Sequence, residues 1–242
     1  MSVICEACPL RDKPVFTEMS DSEARFMREF KSGEMRVSPG SVVLMQGSAS
    51  PQLYTVLSGM GLRHQTLENG RKQVINFLLP GDFLGLQASL MGESSHTVEA
   101  VTEMVLCCFQ RNRLEKLIAQ HPSRAYDLIW VSATDEHFLG ETIATLGQRT
   151  AQERVAWGLV RLYQRLEAVD LAGDGRAAMP IRQQDLADAL GLSLVHTNKT
   201  LANLRQRQVV TWRDGQLLIH DLPELARIGL TDLEPLPRRP LI

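Results

Sequence analysis

The sequence predicts an α+β protein in three parts: an all-β domain, one long helix, and two short helices followed by a β-hairpin. Three observations support this prediction. Short β-rich runs separated by glycine and proline fill residues 37–110. After Pro122 the apolar residues take up a helical period instead. Farther along, two short helical segments meet at Gly191, and a hairpin pattern follows them. The predicted parts are residues 1–121, 122–148 and 149–242.

The all-β domain is predicted from strand-like runs at residues 42–45, 53–57, 73–78 and 105–109. Turn residues such as Pro80-Gly81 separate the runs. Asn69-Gly70 is the strongest hairpin signal in the sequence, because both residue types tolerate the positive φ of a type I′ turn. These features indicate a β-roll or a small barrel.

The long helix carries a stripe of positions spaced alternately four and three residues apart, which keeps them on one helix face. The stripe consists of Ala125, Ile129, Ser132, Glu136, Leu139, Ile143 and Leu146. We expect the positions from Ile129 to Leu146 to form a homodimer interface, because a helix between two domains has little else to bury its stripe against. The alternative is that the stripe packs on its own β domain, and the two polar members interrupt its apolar character.

The two short helices have the features of a helix–turn–helix. Residues 182–190 predict the first helix, and Gly191 permits the left-handed conformation that ends it. Ser193 is placed to cap the second helix, over residues 194–207, which Leu201 and Leu204 anchor from below. Strand-like residues 209–212 and 216–219 flank a turn and predict a hairpin, or wing, beside the second helix. Ahead of the first helix, residues 150–168 predict an amphipathic helix and residues 170–178 predict a polar loop.

The exposed side of the second helix, with the wing, carries hydrogen-bond donors and cations that suit base edges and phosphates. We therefore predict a double-stranded DNA-binding surface. Its candidate residues are Ser193, Val195, His196, Asn198, Lys199, Arg205, Arg207 and Arg213.

Four motifs resemble those of the CRP/FNR family of bacterial regulators: residues 54–59, 79–85, 184–193 and 197–204. The resemblance implies a β-roll of the jelly-roll, cyclic-nucleotide-binding type, a dimerisation helix and a winged helix–turn–helix. It also implies a transcriptional activator that binds a palindromic operator as a homodimer, with RNA polymerase as a further partner. In the family's usual base-reading positions this chain lacks the common arginine and glutamate, so we expect His196, Asn198 and Lys199 to read bases. We expect Arg205, Arg207 and Arg213 to hold phosphates.

The family's effector pocket maps onto a set of residues in the β-roll. These are Gly81, Asp82, Gly85, Leu86, Gln87, Ser94, Ser95 and His96. Members that bind cyclic AMP use an arginine here for the phosphate, yet residues 73–110 contain no arginine. A buried phosphate would then lack a compensating charge, so we do not expect cyclic AMP.

Cys5, Cys8 and Cys107 resemble ligands of the iron–sulfur cluster in FNR-type oxygen sensors. A [4Fe–4S] cluster takes four thiolates, and Val15-Phe16 stands near the expected place of another cysteine. Cys108 would point away from Cys107 on a strand, which leaves Asp12 as a candidate oxygen ligand. Three interpretations stay open: a cluster, a thiol switch or another metal, and cysteines that only pack.

The charge distribution and the absence of certain sequence patterns argue against several classes of protein. The net charge is −2: from Arg149 onward 13 basic and 11 acidic residues give +2, and the preceding part, with 13 and 17, gives −4. No apolar run reaches the roughly 18 residues that span a bilayer, and the first residues lack a signal-peptide pattern. We therefore expect a cytoplasmic protein without a membrane partner. No catalytic motif is evident, so we do not expect an enzyme. The first alternative to a redox-controlled regulator is a regulator without a cofactor that responds to a small molecule or to no effector. An enzyme or a sensor without DNA affinity are the further alternatives.

Overall fold

The structure is a computed structural model and describes residues 3–242. The strands of the N-terminal domain are β1 (Lys31–Val37), β2 (Val42–Leu44), β3 (Gln52–Ser58), β4 (Gly61–Thr66), β5 (Lys72–Leu78), β6 (Phe83–Leu84), β7 (Thr97–Ala100) and β8 (Met104–Gln110). They form two antiparallel sheets, with the orders β1-β8-β3-β6 and β2-β7-β4-β5. Val56, Val98 and Leu106 are fully buried between them. The domain is a β-roll, as predicted.

The β4–β5 hairpin forms where Asn69-Gly70 predicts it, but its turn is not type I′. The N–H of Leu67 donates to the carbonyl oxygen of Arg71 at 2.9 Å, so the loop runs over residues 67–71. Gly70 has a φ of +79°, whereas Asn69 does not have a positive φ. The Asn69 side chain instead accepts a hydrogen bond from the N–H of Arg71 at 3.0 Å. The longer loop needs one left-handed residue, which the glycine supplies.

The helices of this half are α1 (Asp21–Phe30), α2 (Leu86–Met91), α3 (Leu114–Gln120) and α4 (Pro122–Gln148). A capping box between Ser20 and Glu23 starts α1. Pro122 starts α4, in the first turn where a missing N–H costs nothing. One face of α4 lies on the β-roll, because Leu128 packs with Phe30 and Leu53.

The C-terminal part consists of α5 (Ala151–Ala168), β9 (Ala172–Gly173), β10 (Arg176–Ala178), α6 (Gln183–Leu190), α7 (Leu194–Gln206), β11 (Val210–Arg213), β12 (Gln216–Ile219) and α8 (Leu222–Ile228). Its sheet has the order β11-β12-β10-β9. The helices α6 and α7 with the β11–β12 hairpin form the predicted winged helix–turn–helix. Across residues 3–242, no helix is both long and apolar enough to cross a membrane.

The polar stretch 170–178, which the sequence predicts as a loop, contains the short hairpin β9–β10. Arg176 pairs with Gly173 and, on the other side, with Leu218 of β12. Ala177 is buried beneath this sheet. The prediction of a loop is wrong here because strands of two and three residues leave too little apolar pattern to recognise, and pairing with β12 stabilises them.

The two domains share one apolar core. Leu62 and Phe77 of the β-roll pack in the same cluster as Leu159 of α5 and Leu186 of α6. The chain beyond α8 then returns to the β-roll, where the main chain of Arg239 forms a parallel bridge with Phe16. The DNA-binding half is therefore held against the β-roll both by packing and by its own C-terminal segment.

Candidate DNA-binding face and sensor cavity

The turn between α6 and α7 has the geometry that a helix–turn–helix requires. Gly191 ends α6 with a φ of +62°, and its N–H donates to the carbonyl oxygen of Ala187. The Ser193 hydroxyl caps α7 by accepting a hydrogen bond from the N–H of His196 at 3.2 Å. Leu201 and Leu204 are buried beneath α7. These contacts fix the direction in which α7 leaves the turn.

All eight residues of the predicted DNA-binding surface are exposed. They are Ser193, Val195, His196, Asn198, Lys199, Arg205, Arg207 and Arg213. Val195, in the first turn of α7, is 79% exposed. Arg213 ends β11, directly before the tight turn Asp214-Gly215, in which both residues have positive φ. The wing therefore presents its arginine at the tip.

One predicted phosphate contact is already engaged within the protein. Arg207 donates to a carboxylate oxygen of Glu224 at 2.7 Å, and Arg227 donates to both oxygens of the same group. Sequence reasoning also missed Arg176, which lies exposed on β10 beside the wing strand β12. Arg176 lies in the stretch that the sequence predicts as a loop, so its place beside the wing could not be recognised from the sequence.

The stripe of α4 is largely exposed in the single chain. Ile129 is 65% exposed and Ile143 is 71% exposed, and Ser132, Glu136 and Leu139 are exposed as well. The alternative in which the stripe packs on its own β domain therefore fails for these positions. Leu146 differs, because it is half-buried beside the Gly191 turn of the same chain.

A cavity of about 290 Å³ lies between the β-roll, α4, α5 and the C-terminal segment. Trp130 and Phe138 of α4 form an aromatic wall, and Asn76 of β5 faces the same space. Its lining also contains four arginines, which are Arg63, Arg161, Arg165 and Arg239. The cavity is near the lower end of the size range of small-molecule sites.

Each of these arginines has an acidic partner. Arg63 pairs with Asp135 at 3.1 Å, and Arg161 pairs with Glu141 at 2.7 Å. The remaining two, from α5 and the C-terminal segment, both pair with Asp82 at 2.7 Å. Burial opposes ionisation of Asp82, but these two guanidinium groups hold its pKa below the ordinary value. All four arginines lie outside residues 73–110, the segment in which the resemblance to the family places the phosphate-binding arginine.

The predicted effector residues do not gather in this cavity. Gly81 and Asp82 line it, whereas the lining does not include Gly85, Leu86, Gln87, Ser94, Ser95 and His96. Several of the latter bond to one another: the Ser95 hydroxyl donates to Gln87 Oε1 at 2.9 Å. Burial, and then the Arg63 guanidinium, lower the pKa of His96 to about 4, so this imidazole is neutral at pH 7.

Two known protein families match the chain in the order of its domains. The cyclic nucleotide-binding domain matches residues 34–121, and the Crp-like helix–turn–helix domain matches residues 153–228. The nitrogen fixation regulation protein FixK of Rhizobium meliloti is 30% identical over 78% of this chain and 83% of its own length. The chain belongs to the CRP/FNR family of transcriptional regulators. It is a DNA-binding regulator with an effector-binding β-roll.

Other relatives agree with this assignment. The transcriptional activator protein FnrL of Cereibacter sphaeroides is 26% identical over 85% of this chain and 83% of its own length. The solved structure of FixK2 from Bradyrhizobium japonicum superposes with a TM-score of 0.74 at 25% identity, covering 81% of this chain and 96% of that chain.

The cysteines of this CRP/FNR regulator lie in two different surroundings. Cys107 packs against one apolar cluster with Cys5 and against another with Cys8, whereas Cys108 packs into the core of the β-roll. Burial raises the pKa of the Cys107 thiol to about 12, against the opposing effect of the Lys31 ammonium. Cys5, Cys8 and Cys107 are therefore neighbours, and Cys108 lies apart from them.

A fourth ligand for a cluster is not evident at this group. Phe16, near where another cysteine would be expected, is buried, and the Arg239 guanidinium lies over its ring at 5.1 Å. Asp12 is exposed. Among residues 3–242, no three His, Cys, Asp or Glu side chains are placed to hold one metal ion. These surroundings do not fit a [4Fe–4S] cluster with four protein ligands.

Proposed function

We propose that this regulator binds a palindromic operator as a homodimer, with one α7 helix in each of two successive major grooves. The observation that carries the proposal is the exposed stripe of α4, on a chain whose reading helix also has its polar face exposed. A two-fold axis along the stripe would bury Ile129 and Ile143 and would present two reading helices together. The activator among its relatives supports RNA polymerase as the further partner at a promoter.

We propose distinct roles for the polar residues of α7 and the wing. Asn198 and Lys199 lie on the exposed side of the first turns of α7, where side chains of a reading helix meet base edges. His196 is exposed beside them. Arg205, at the far end of α7, and Arg213, at the tip of the wing, suit phosphates instead. Arg207 would join them by exchanging Glu224 for a phosphate.

Selection from a pool of random duplexes tests the proposal. The full chain is expected to enrich an inverted repeat whose half-site centres lie about one helical turn, roughly 34 Å, apart. A pool that stays random after repeated rounds would contradict DNA reading. Enrichment of single, unrepeated half-sites would contradict the dimer.

We infer that the effector is a small molecule bound in the cavity between the β-roll and α4. Its aromatic wall and its size suit a compact organic ligand. Its arginines are already neutralised by Asp82, Asp135 and Glu141, so a cyclic phosphate would have to displace an existing ion pair. This supports a ligand other than a cyclic nucleotide.

Anaerobic purification separates this interpretation from an iron–sulfur sensor. Because the three neighbouring thiols have no fourth ligand, we expect colourless protein without stoichiometric iron or sulfide. In a separate thermal-unfolding experiment, cyclic AMP is expected to leave the melting temperature of the protein unchanged. Brown protein with about four iron and four sulfide ions per chain would establish a cluster instead. A melting temperature that rises with cyclic AMP concentration would reinstate the nucleotide.

A further inference from the structure

Residues 236–242, which we term the strap, connect the DNA-binding domain back to the sensor domain. The N–H of Arg239 donates to the carbonyl oxygen of Val15 at 2.7 Å, and the N–H of Thr17 donates to the carbonyl oxygen of Arg239 at 2.9 Å. Leu241 and Ile242 are both buried. The strap is thus held by main-chain pairing and by apolar contacts.

Side chains of the β-roll and of α4 also hold the strap. The Thr55 hydroxyl donates to the main-chain oxygen of Ile242 at 2.6 Å. The buried Arg124 guanidinium of α4 donates to the carbonyl oxygen of Leu241 at 2.9 Å. Both donors are buried, and detachment of the strap would break both hydrogen bonds.

Asp82 connects three parts of the protein at one carboxylate. One oxygen accepts from Arg239 of the strap at 2.7 Å, and the other accepts from Arg165 of α5 at 2.7 Å. The second oxygen also accepts from the N–H of Leu79 at 2.8 Å, which fixes the carboxylate on the β-roll. Gly81 leaves the space that Arg239 and Phe16 occupy, since a Cβ at this position would lie 2.2 Å from the Phe16 ring.

These contacts attach the DNA-binding domain to the sensor domain at two distant points of the chain, in addition to the apolar core that the two domains share. The first is the α4–α5 connection at residues 149–150, where Arg149 also donates to the carbonyl oxygens of Gly229 and Leu230. The second is the strap. With the strap in place, the domain cannot turn about residues 149–150 without breaking the contacts of the strap.

We propose that the strap locks the DNA-binding domain against the sensor domain, and that the domain turns about residues 149–150 only after the strap has detached. The strap also supplies part of the cavity wall, through Leu236, Pro237 and Pro240. A ligand that contacts the strap would therefore shift the balance between locked and free states. The expected effect of the strap on operator spacing rests on the proposed function. The attachment of the DNA-binding domain to the sensor domain by the strap does not.

Trypsin tests the lock without DNA or effector. The bond after Arg238 is the tryptic site within the strap, because Pro240 protects the bond after Arg239. In Arg239→Ala the ion pair with Asp82 is lost and the Arg238 site remains, so native-state cleavage there is expected to be at least about tenfold faster. Each cleavage rate is divided by the rate for an unfolded synthetic peptide of the same sequence around Arg238. This division removes the effect that the substitution at residue 239 has on the intrinsic rate of trypsin.

Arg36→Ala is the matched control, because this arginine is exposed on β1 and its nearest acid, Glu103, lies 3.7 Å away. It is expected to be cleaved like the wild type. Equal rates for Arg239→Ala and the wild type would overturn the proposal.

A second measurement tests whether the strap fixes the domain. The selected inverted repeat is compared with a repeat lengthened by one base pair at its centre. The wild type is expected to prefer the original spacing, and Arg239→Ala is expected to lower this preference by about fivefold because its domains can turn. Faster cleavage with an unchanged spacing preference would show a strap that docks without locking, which contradicts the proposal. If the protein binds no DNA at all, the proposed function is rejected. The trypsin comparison then still tests whether the Arg239 ion pair holds the strap on the sensor domain.

Discussion

Replacement of Ile143 by aspartate is expected to convert the protein from a dimer to a monomer. Ile143 is 71% exposed in the single chain, so the substitution leaves the fold of each chain intact. In the dimer it would place two buried carboxylates near the two-fold axis, without partners. We expect the dissociation constant of the dimer to rise at least about a hundredfold. Sedimentation velocity across a concentration series measures the change.

Leu90→Asp is the matched control for this experiment. Leu90 lies on α2 and is 69% exposed, so the same chemical change is made on a surface outside the α4 stripe. It is expected to remain dimeric. If Ile143→Asp also remains dimeric at micromolar concentration, the α4 stripe is not the subunit interface.

Replacement of Lys199 by alanine is expected to erase sequence preference at one position of each half-site. The exposed lysine has no role in the core beneath α7, which Leu201 and Leu204 form. Loss of its base contact should reduce discrimination between the selected base and its competitors by about 1–3 kcal/mol. Affinity for random DNA should change much less. Competition binding with single-base variants of the selected operator measures both quantities.

Arg213→Ala is the comparison for Lys199→Ala, because the wing arginine is assigned to a phosphate. It is expected to weaken binding to all sequences alike. Equal losses on operator and random DNA for Lys199→Ala would reject its base-reading role.

The winged helix–turn–helix could be predicted from sequence because each part leaves a local signal. Gly191 ends one helix, Ser193 caps the next, and Asp214-Gly215 closes the wing. None of these features depends on residues far away in the chain. The same reasoning located the β4–β5 hairpin but not its turn type, which depends on how many residues the loop contains.

The cavity and the strap could not be predicted, because both are assembled from distant parts of the chain. Asp82 and Arg239 are 157 residues apart, and no spacing rule connects them. The arginines of the cavity come from β4, α5 and the strap, outside the β-roll segment in which the family's cation is found. Tertiary contact, rather than local pattern, determines these features.

The most direct test of the account is the affinity for the selected inverted repeat as salt concentration rises. Two subunits that each place Arg205, Arg207 and Arg213 on phosphates should give a logarithmic slope of about −5. Affinity for random DNA should fall with salt as well, from a much lower starting value. A flat salt response, or equal affinity for the repeat and for random DNA, would contradict the conclusion that this chain reads DNA through α7 and its wing.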